Sequence, residues 1–200
     1  MGANAIWEEM ARRYDTDDRV SVAKIIVQAV RSELKDTTEK TALDYGCGTG
    51  LIGLGLTDLF QSILFVDPSS QMIDQVNRKI EARQIACAST LCCDFLEEVP
   101  GALQVDYIIM SQVLLHIKDS RFILTKLYHV LKKNGHLFIA DFNKNERIMS
   151  DQIHNGFEQK ELIELLGEIG FASAAAHTFH HGKGILMNQD ASLFLLNAVK

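Results

Sequence analysis

Three carboxylates and a run of alternate glycines are the residues whose types and spacing suggest chemistry. Asp44 precedes Gly46, Gly48 and Gly50, and Asp67 and Asp94 each close a later apolar run. Glycines at such spacing let the backbone bend through positive φ and approach a ligand with no Cβ in the way. Gly48-Thr49-Gly50-Leu51-Ile52-Gly53 also matches G-x-G-x-x-G after a strand, which alone suggests a dinucleotide-binding turn. Asp67 is placed to accept both hydroxyls of a ribose, which suits NAD and S-adenosylmethionine equally. Three features separate the two. Asp44 before the glycines repels a pyrophosphate and attracts an α-ammonium. Asp94-Phe95 offers a carboxylate for an adenine amino group and an aromatic face for its ring. The chain also closes on a strand pair rather than on a second parallel half.

The elements that position these residues follow from periodicity. Residues 5–15 read as a short amphipathic helix with Ile6, Trp7, Met10, Ala11 and Tyr14 on one face. Asp15 to Asp18 breaks it and caps a second helix from about Arg19 to Lys35. Strands are expected at Thr41–Tyr45, Ile63–Val66, Ser89–Cys93, Val105–Met110 and His136–Phe142, and helices lie between them. One helix follows the glycine turn and carries Leu51, Leu54, Leu59 and Phe60. The next is capped by Ser69 or Ser70, and another spans Arg121 to Lys132 and ends at Asn134-Gly135. Apolar strands alternating with helices mean a parallel sheet covered on both faces. After the loop-like segment 143–156 comes a helix from Gln159 to Ile169. Two final strands, about Ala172–Phe179 and Ser192–Val199, should pair antiparallel across the turn-rich stretch 180–184.

The bulk properties narrow the function classes. Two hundred residues, 47% hydrophobic and 23% charged, suit one domain with a sizeable core. A net charge of −6 argues against a generic nucleic-acid binder. No apolar run reaches the length needed to span a bilayer. Met1 to Met10 contains Glu8 and Glu9 and lacks a signal-peptide core, and Ile6 breaks the myristoylation pattern. The expected setting is the cytoplasm. Cys47, Cys87, Cys92 and Cys93 contain no C-x-x-C pair and are expected to be reduced thiols.

The ordered motif set resembles the class I S-adenosylmethionine-dependent methyltransferases, most closely the small-molecule, ubiquinone- and menaquinone-biosynthesis-type group. Leu43 to Gly50 matches the first motif, and Val66-Asp67-Pro68-Ser69 with Met72-Ile73 matches the second. Cys93-Asp94-Phe95 matches the adenine-binding motif, and Asp106 to Ser111 with Leu114 to Ile117 matches the fourth-strand motif. The likeness covers about residues 40–171. Lys133-Asn134-Gly135 departs from the usual Pro-Gly-Gly, and Tyr45 replaces a branched aliphatic. The motifs of amide-, adenine- and cytosine-methylating enzymes are missing after the fourth strand.

The resemblance implies a three-layer, Rossmann-like α/β fold whose seven-stranded sheet has the order 3-2-1-4-5-7-6, with strand 7 antiparallel. It implies one domain over residues 1–200, with residues 1–40 as N-terminal helices covering the pocket. It assigns cofactor contact to Asp44, Gly46, Cys47, Gly48 and Gly50, to Asp67, Pro68 and Met72, to Asp94 and Phe95, and to Ser111 and Gln112. Backbone around Gly46 and Gly48 would face the methionine portion, with Asp44 on its ammonium. Asp67 would take the ribose and Asp94-Phe95 the adenine, and Ser111 or Gln112 would sit near the sulfonium. The alternatives are a helix-capping Asp67 and a merely polar turn at Ser111-Gln112.

Methyl transfer from a sulfonium needs positioning and exclusion of water more than acid–base help. Candidate bases are His116, His154 and the group His177, His180 and His181. His116 is otherwise a packed or capping residue. The three late histidines have no Cys, Asp or Glu nearby, so no metal site is expected. Trp7, Met10 and Tyr14 form either a lid or ordinary packing. The short 143–156 segment points to a compact acceptor rather than a macromolecule. A catalytically silent binding subunit and an NAD-linked enzyme are the alternatives. The acceptor, the methylated atom and the oligomeric state are not encoded legibly.

Overall fold

The structure, a computed structural model, describes residues 8–150 and 153–200. Seven strands, β1 (Thr41–Tyr45), β2 (Ser62–Asp67), β3 (Ala88–Cys92), β4 (Val105–Ser111), β5 (Leu131–Phe142), β6 (Ser173–Leu186) and β7 (Gln189–Val199), form one sheet in the order 3-2-1-4-5-7-6. β1, β2 and β3 run parallel, and β7 runs antiparallel to both β5 and β6. The expected fold class and strand order are borne out. Four longer helices accompany the strands: α1 (Asp17–Glu33), α2 (Ser70–Arg83), α3 (Ser120–Val130) and α4 (Gln159–Ile169). By contact density the chain divides into two units, Met1–Val105 and Asp106–Lys200.

In the first unit, α1 begins where the Thr16 hydroxyl accepts from the Arg19 N–H, and Asp17 and Asp18 favour the positive end of the helix. Its Ile26 and Val30 are wholly buried, as are Leu43 of β1 and Phe65 of β2. α2 begins at Ser69, whose Oγ accepts from the Met72 N–H at 3.2 Å, and it buries Met72, Ile73 and Val76. The helix expected after the glycine turn is absent. Two short 3-10 turns, Gly53–Gly55 and Thr57–Leu59, stand in its place. An α-helix would pair the Gly53 N–H with the Thr49 carbonyl. Here the Gly53 N–H donates to Asp44 Oδ2 at 3.0 Å, and the Thr49 carbonyl accepts from Lys79 Nζ at 2.7 Å. Gly50, Gly53 and Gly55 lower the helical preference further, by about 1 kcal/mol each.

In the second unit, β4 buries Tyr107 to Met110 without interruption, and β5 buries Leu137 to Phe142. α3 is capped by Asp119, whose Oδ1 accepts from the Phe122 N–H at 2.9 Å. It ends at Val130 rather than Lys132, and β5 starts at once. The expected turn survives as a left-handed Asn134, φ 60°, inside the assigned strand, where Lys200 pairs with it. The Asn134 N–H donates to the Lys200 carbonyl, and the Lys200 N–H donates to that of Gly135. The stretch 180–184 is also strand rather than turn. β6 runs through it with register shifts at Thr178/His180 and Gly182/Leu186, and the hairpin turn falls at Met187-Asn188, with φ of 50° and 60°. Gly184, at φ +67°, serves an irregular strand rather than a reversal.

Candidate functional site

The glycine loop after β1 is the best-defined feature of the first unit. Gly46, Gly48 and Gly50 all have positive φ, at 68°, 52° and 79°. The loop is tied to the tip of β2, because the Gly46 and Cys47 N–H groups both donate to the Val66 carbonyl. Asp67 lies beside it and is 8% exposed. Its Oδ2 accepts from the Gly48 N–H and its Oδ1 from the Ser69 N–H, each at 2.9 Å. Burial raises the Asp67 pKa, while these two donors pull it back. Asp44 lies beneath the loop, 2% exposed, on the Gly53 N–H. A Cβ at Gly53 would overlap the Asp44 carboxylate and the Phe65 ring, so this glycine is required by close packing. Burial pushes the Asp44 carboxyl up to about 7. Cys47 is buried and its thiol is pushed well up, chiefly by burial.

Met72 is 2% exposed and Pro68 is half-buried. Asp94 follows β3, and its Oδ1 accepts from the Leu96 N–H at 2.9 Å. Phe95 is wholly buried, its ring centroid 5.1 Å from that of Tyr45. Tyr45 thus packs against the aromatic of the third motif.

Contacts that the sequence did not reveal bind the N-terminal segment to this loop and to the start of α2. Glu8 accepts from the backbone N–H groups of Ser70 and Gln71, at 2.8 and 3.2 Å, at the start of α2. Asp15 accepts from the Thr49 hydroxyl and from Lys79 Nζ, and Lys79 also holds the Thr49 carbonyl. Tyr14 comes within 3.9 Å of the space beside Gly48, and Arg19 lies 4.2 Å over its ring. Burial raises the Tyr14 pKa. Met10 precedes a short 3-10 turn, Ala11–Arg13. Trp7 lies outside the described residues. No sequence signal marks Glu8 or Lys79, since an acid near a terminus and a lysine on a helix read as solvated charge.

In the second unit, Ser111 ends β4, and its Oγ is buried with no hydrogen-bond partner among the described residues. Gln112 holds a left-handed φ of 53° and donates its N–H to the Ala140 carbonyl at 2.8 Å. The next residues form a 3-10 turn, Leu114–His116. Asp141, wholly buried at the end of β5, anchors it. Its Oδ2 accepts from the Leu115 N–H and its Oδ1 from the Phe142 N–H. Burial pushes Asp141 up to about 7. His116 is exposed, and desolvation lowers its pKa to about 4, so it is neutral at pH 7. His154 is an anchor: its Nε2 contacts the Ile117 carbonyl at 2.8 Å, and its N–H donates to that of Leu115. An imidazole nitrogen facing a carbonyl carries the proton, so Nε2 is the donor. His177, His180 and His181 lie along β6. Among the described residues no group of three His, Cys, Asp or Glu could hold a metal, and no helix is long and apolar enough to cross a membrane.

Residues 43–137 match the family described as a methyltransferase domain. A solved S-adenosylmethionine-dependent methyltransferase from Aquifex aeolicus superposes with a TM-score of 0.71 at 18% identity, covering 96% of this chain and 97% of that one. The fold is that of the class I methyltransferases. An uncharacterized methyltransferase of Schizosaccharomyces pombe is 35% identical over 130 residues, 62% of this chain and 44% of that protein. A ubiquinone biosynthesis O-methyltransferase of Bradyrhizobium diazoefficiens is 30% identical over 103 residues, 52% of this chain and 40% of that protein. The chain therefore spans less than half the length of these relatives. The resemblance read from the ordered motifs is matched by the methyltransferase-domain family over residues 43–137 and, in fold, by the solved methyltransferase.

Proposed function

We propose that this protein binds S-adenosylmethionine and transfers its methyl group to a small-molecule acceptor. Asp67 carries the reading. Each of its oxygens holds one backbone N–H, which leaves each a lone pair for a ribose hydroxyl. The loop fits the cofactor in a second respect, since Gly46, Gly48 and Gly50 all hold positive φ and present bare backbone beside Asp67. When bound, the cofactor supplies a methyl group already activated by its sulfonium charge.

The work of the chain is then positioning. Asp67 would hold the ribose and Asp94 the adenine, with Phe95 supporting that wall from beneath against Tyr45, and the Gly46–Gly50 backbone, with Asp44 under it, would receive the amino-acid end. Pro68 and Met72 would floor the ribose side, and Ser111 and Gln112 would face the reacting end. The segment carrying Tyr14 and Asp15 would cover the bound cofactor and keep water out. Desolvation lowers the His116 pKa to about 4, so it would be a weak base at neutral pH. The net charge of −6 supports a small acceptor over nucleic acid, and four free cysteines support a reducing, cytoplasmic setting.

Turnover of labelled S-adenosylmethionine against a metabolite panel tests the activity. Label transfer to one acceptor class is expected. Tight S-adenosylhomocysteine binding without transfer to any acceptor would favour a silent partner subunit. Calorimetry showing NAD binding with no S-adenosylhomocysteine response would replace the cofactor assignment.

A further inference from the structure

Behind the glycine loop, on the side facing α1, lies a groove of about 290 Å³. That is near the lower end of small-molecule sites, which run to about 300–1,000 Å³. The short turn Gly53–Gly55 packs Gly55 against Val27 of α1 at the edge of this groove. Its apolar wall comes from Val20 and Val27, one helical stripe of α1, and from Leu51 and Leu54 of the loop. Its cations are Lys24 on α1 and Lys79 and Arg83, one turn apart on α2, and no carboxylate lines it. In a chain of net charge −6, three cations around an apolar groove with no acid among them are out of pattern. Asp15 neutralises Lys79. Lys24 and Arg83 have no ion-pair or hydrogen-bond partner among the described residues. The C-terminal turn of α2 favours a cation at Arg83, but no such field accounts for Lys24.

We propose that this groove is a second binding site, which takes a small carboxylate with an apolar tail and acts on the glycine loop through Lys79. The tail lies against Val20, Val27, Leu51 and Leu54, and the carboxylate lies among Lys24, Arg83 and Lys79. Lys79 makes the site regulatory. Its ammonium holds the Thr49 carbonyl inside the loop and the Asp15 carboxylate of the N-terminal segment. An anion in the groove competes with Asp15 for this ammonium and loosens the segment over the loop. This coupling rests on the cofactor reading above, whereas binding in the groove does not. Linkage makes the coupling reciprocal, so the carboxylate and the cofactor weaken each other by the same factor.

Titration calorimetry with decanoate, kept below its micellar concentration, tests the site on the unmodified protein. Decyltrimethylammonium, of equal tail and opposite charge, is the comparison. Saturable one-to-one decanoate binding is expected, with the cationic amphiphile weaker by about tenfold or more. The double variant Lys24→Glu, Arg83→Glu changes two exposed side chains and should also weaken decanoate by about tenfold. Equal binding of the two amphiphiles, no saturable binding, or a folded double variant with unchanged affinity would each overturn the site. Saturating decanoate should then weaken S-adenosylhomocysteine by about threefold. An unchanged affinity overturns the coupling. Failure of S-adenosylhomocysteine to bind without decanoate overturns the cofactor reading instead.

Discussion

At Asp67 one carboxylate holds the glycine loop and the start of α2 together, and the same carboxylate is the proposed ribose ligand. Replacing it with alanine removes a pair of charge-assisted hydrogen bonds to the ligand. S-adenosylhomocysteine affinity should fall by about 2–3 kcal/mol, read by calorimetry, and an unchanged value would sink the assignment. Gly53 supplies a test that needs no ligand. An alanine there drives its Cβ into the Asp44 carboxylate and the Phe65 ring, whereas alanine at Gly101 meets nothing within 4 Å. Gly53→Ala should lose about 1–3 kcal/mol in urea unfolding, and Gly101→Ala should be close to neutral. Asp44, Asp67 and the glycines were legible because a strand tip followed by alternate glycines has few other uses. Asp15, Lys79 and Asp141 were not, because their partners lie far away in the chain and only the fold brings them together.

Among the elements, the β6–β7 hairpin shows how turn chemistry can mislead. Gly182-Lys183-Gly184 carries the composition of a turn and sits inside a strand. Met187-Asn188 makes the turn with two positive φ angles and one unfavourable side chain. Converting the pair to Asn-Gly supplies the residues such a two-residue turn prefers. The double substitution Met187→Asn, Asn188→Gly should raise stability by about 1 kcal/mol, seen as a higher thermal midpoint. The boundaries of β1 and α4 were readable to the residue, since a polar loop and a glycine fence them. The missing helix after the glycine turn was not. Its apolar spacing is helical, but Asp44 and Lys79 take the backbone groups that a helix would pair.

Over the whole molecule, two buried carboxylic acids set an unusual response to pH. Asp44 and Asp141 are both pushed to about 7, mainly by burial. Unfolded, each returns to about 4. Between these values the folded chain binds the extra protons, so their contribution is full below about pH 4 and is lost as pH rises through about 7. Unfolding free energy should therefore increase as pH falls from 7.5 to 5, by up to about 1.4 kcal/mol per pH unit for each acid. Urea unfolding at several pH values reads the slope, and Asp44→Asn and Asp141→Asn should each flatten it. The α/β fold class was legible at this scale from alternating apolar runs, whereas the strand order came only with the motif resemblance. The protonation behaviour was not, since a buried and a solvated aspartate look alike in a sequence.

The ties of the N-terminal segment also set a clock for its cleavage. Arg12 and Arg13 are exposed between Glu8 and Asp15, whose contacts to α2 and Lys79 are charged. A protease needs several residues of slack chain, so trypsin must wait for one of these two fastenings to release. Salt screens such contacts and should hasten the cut, while S-adenosylhomocysteine beneath the segment should slow it. Mass spectrometry of timed digests would follow both effects. The rate at which this chain is nicked at Arg12-Arg13 becomes a readout of whether the proposed cofactor site is filled.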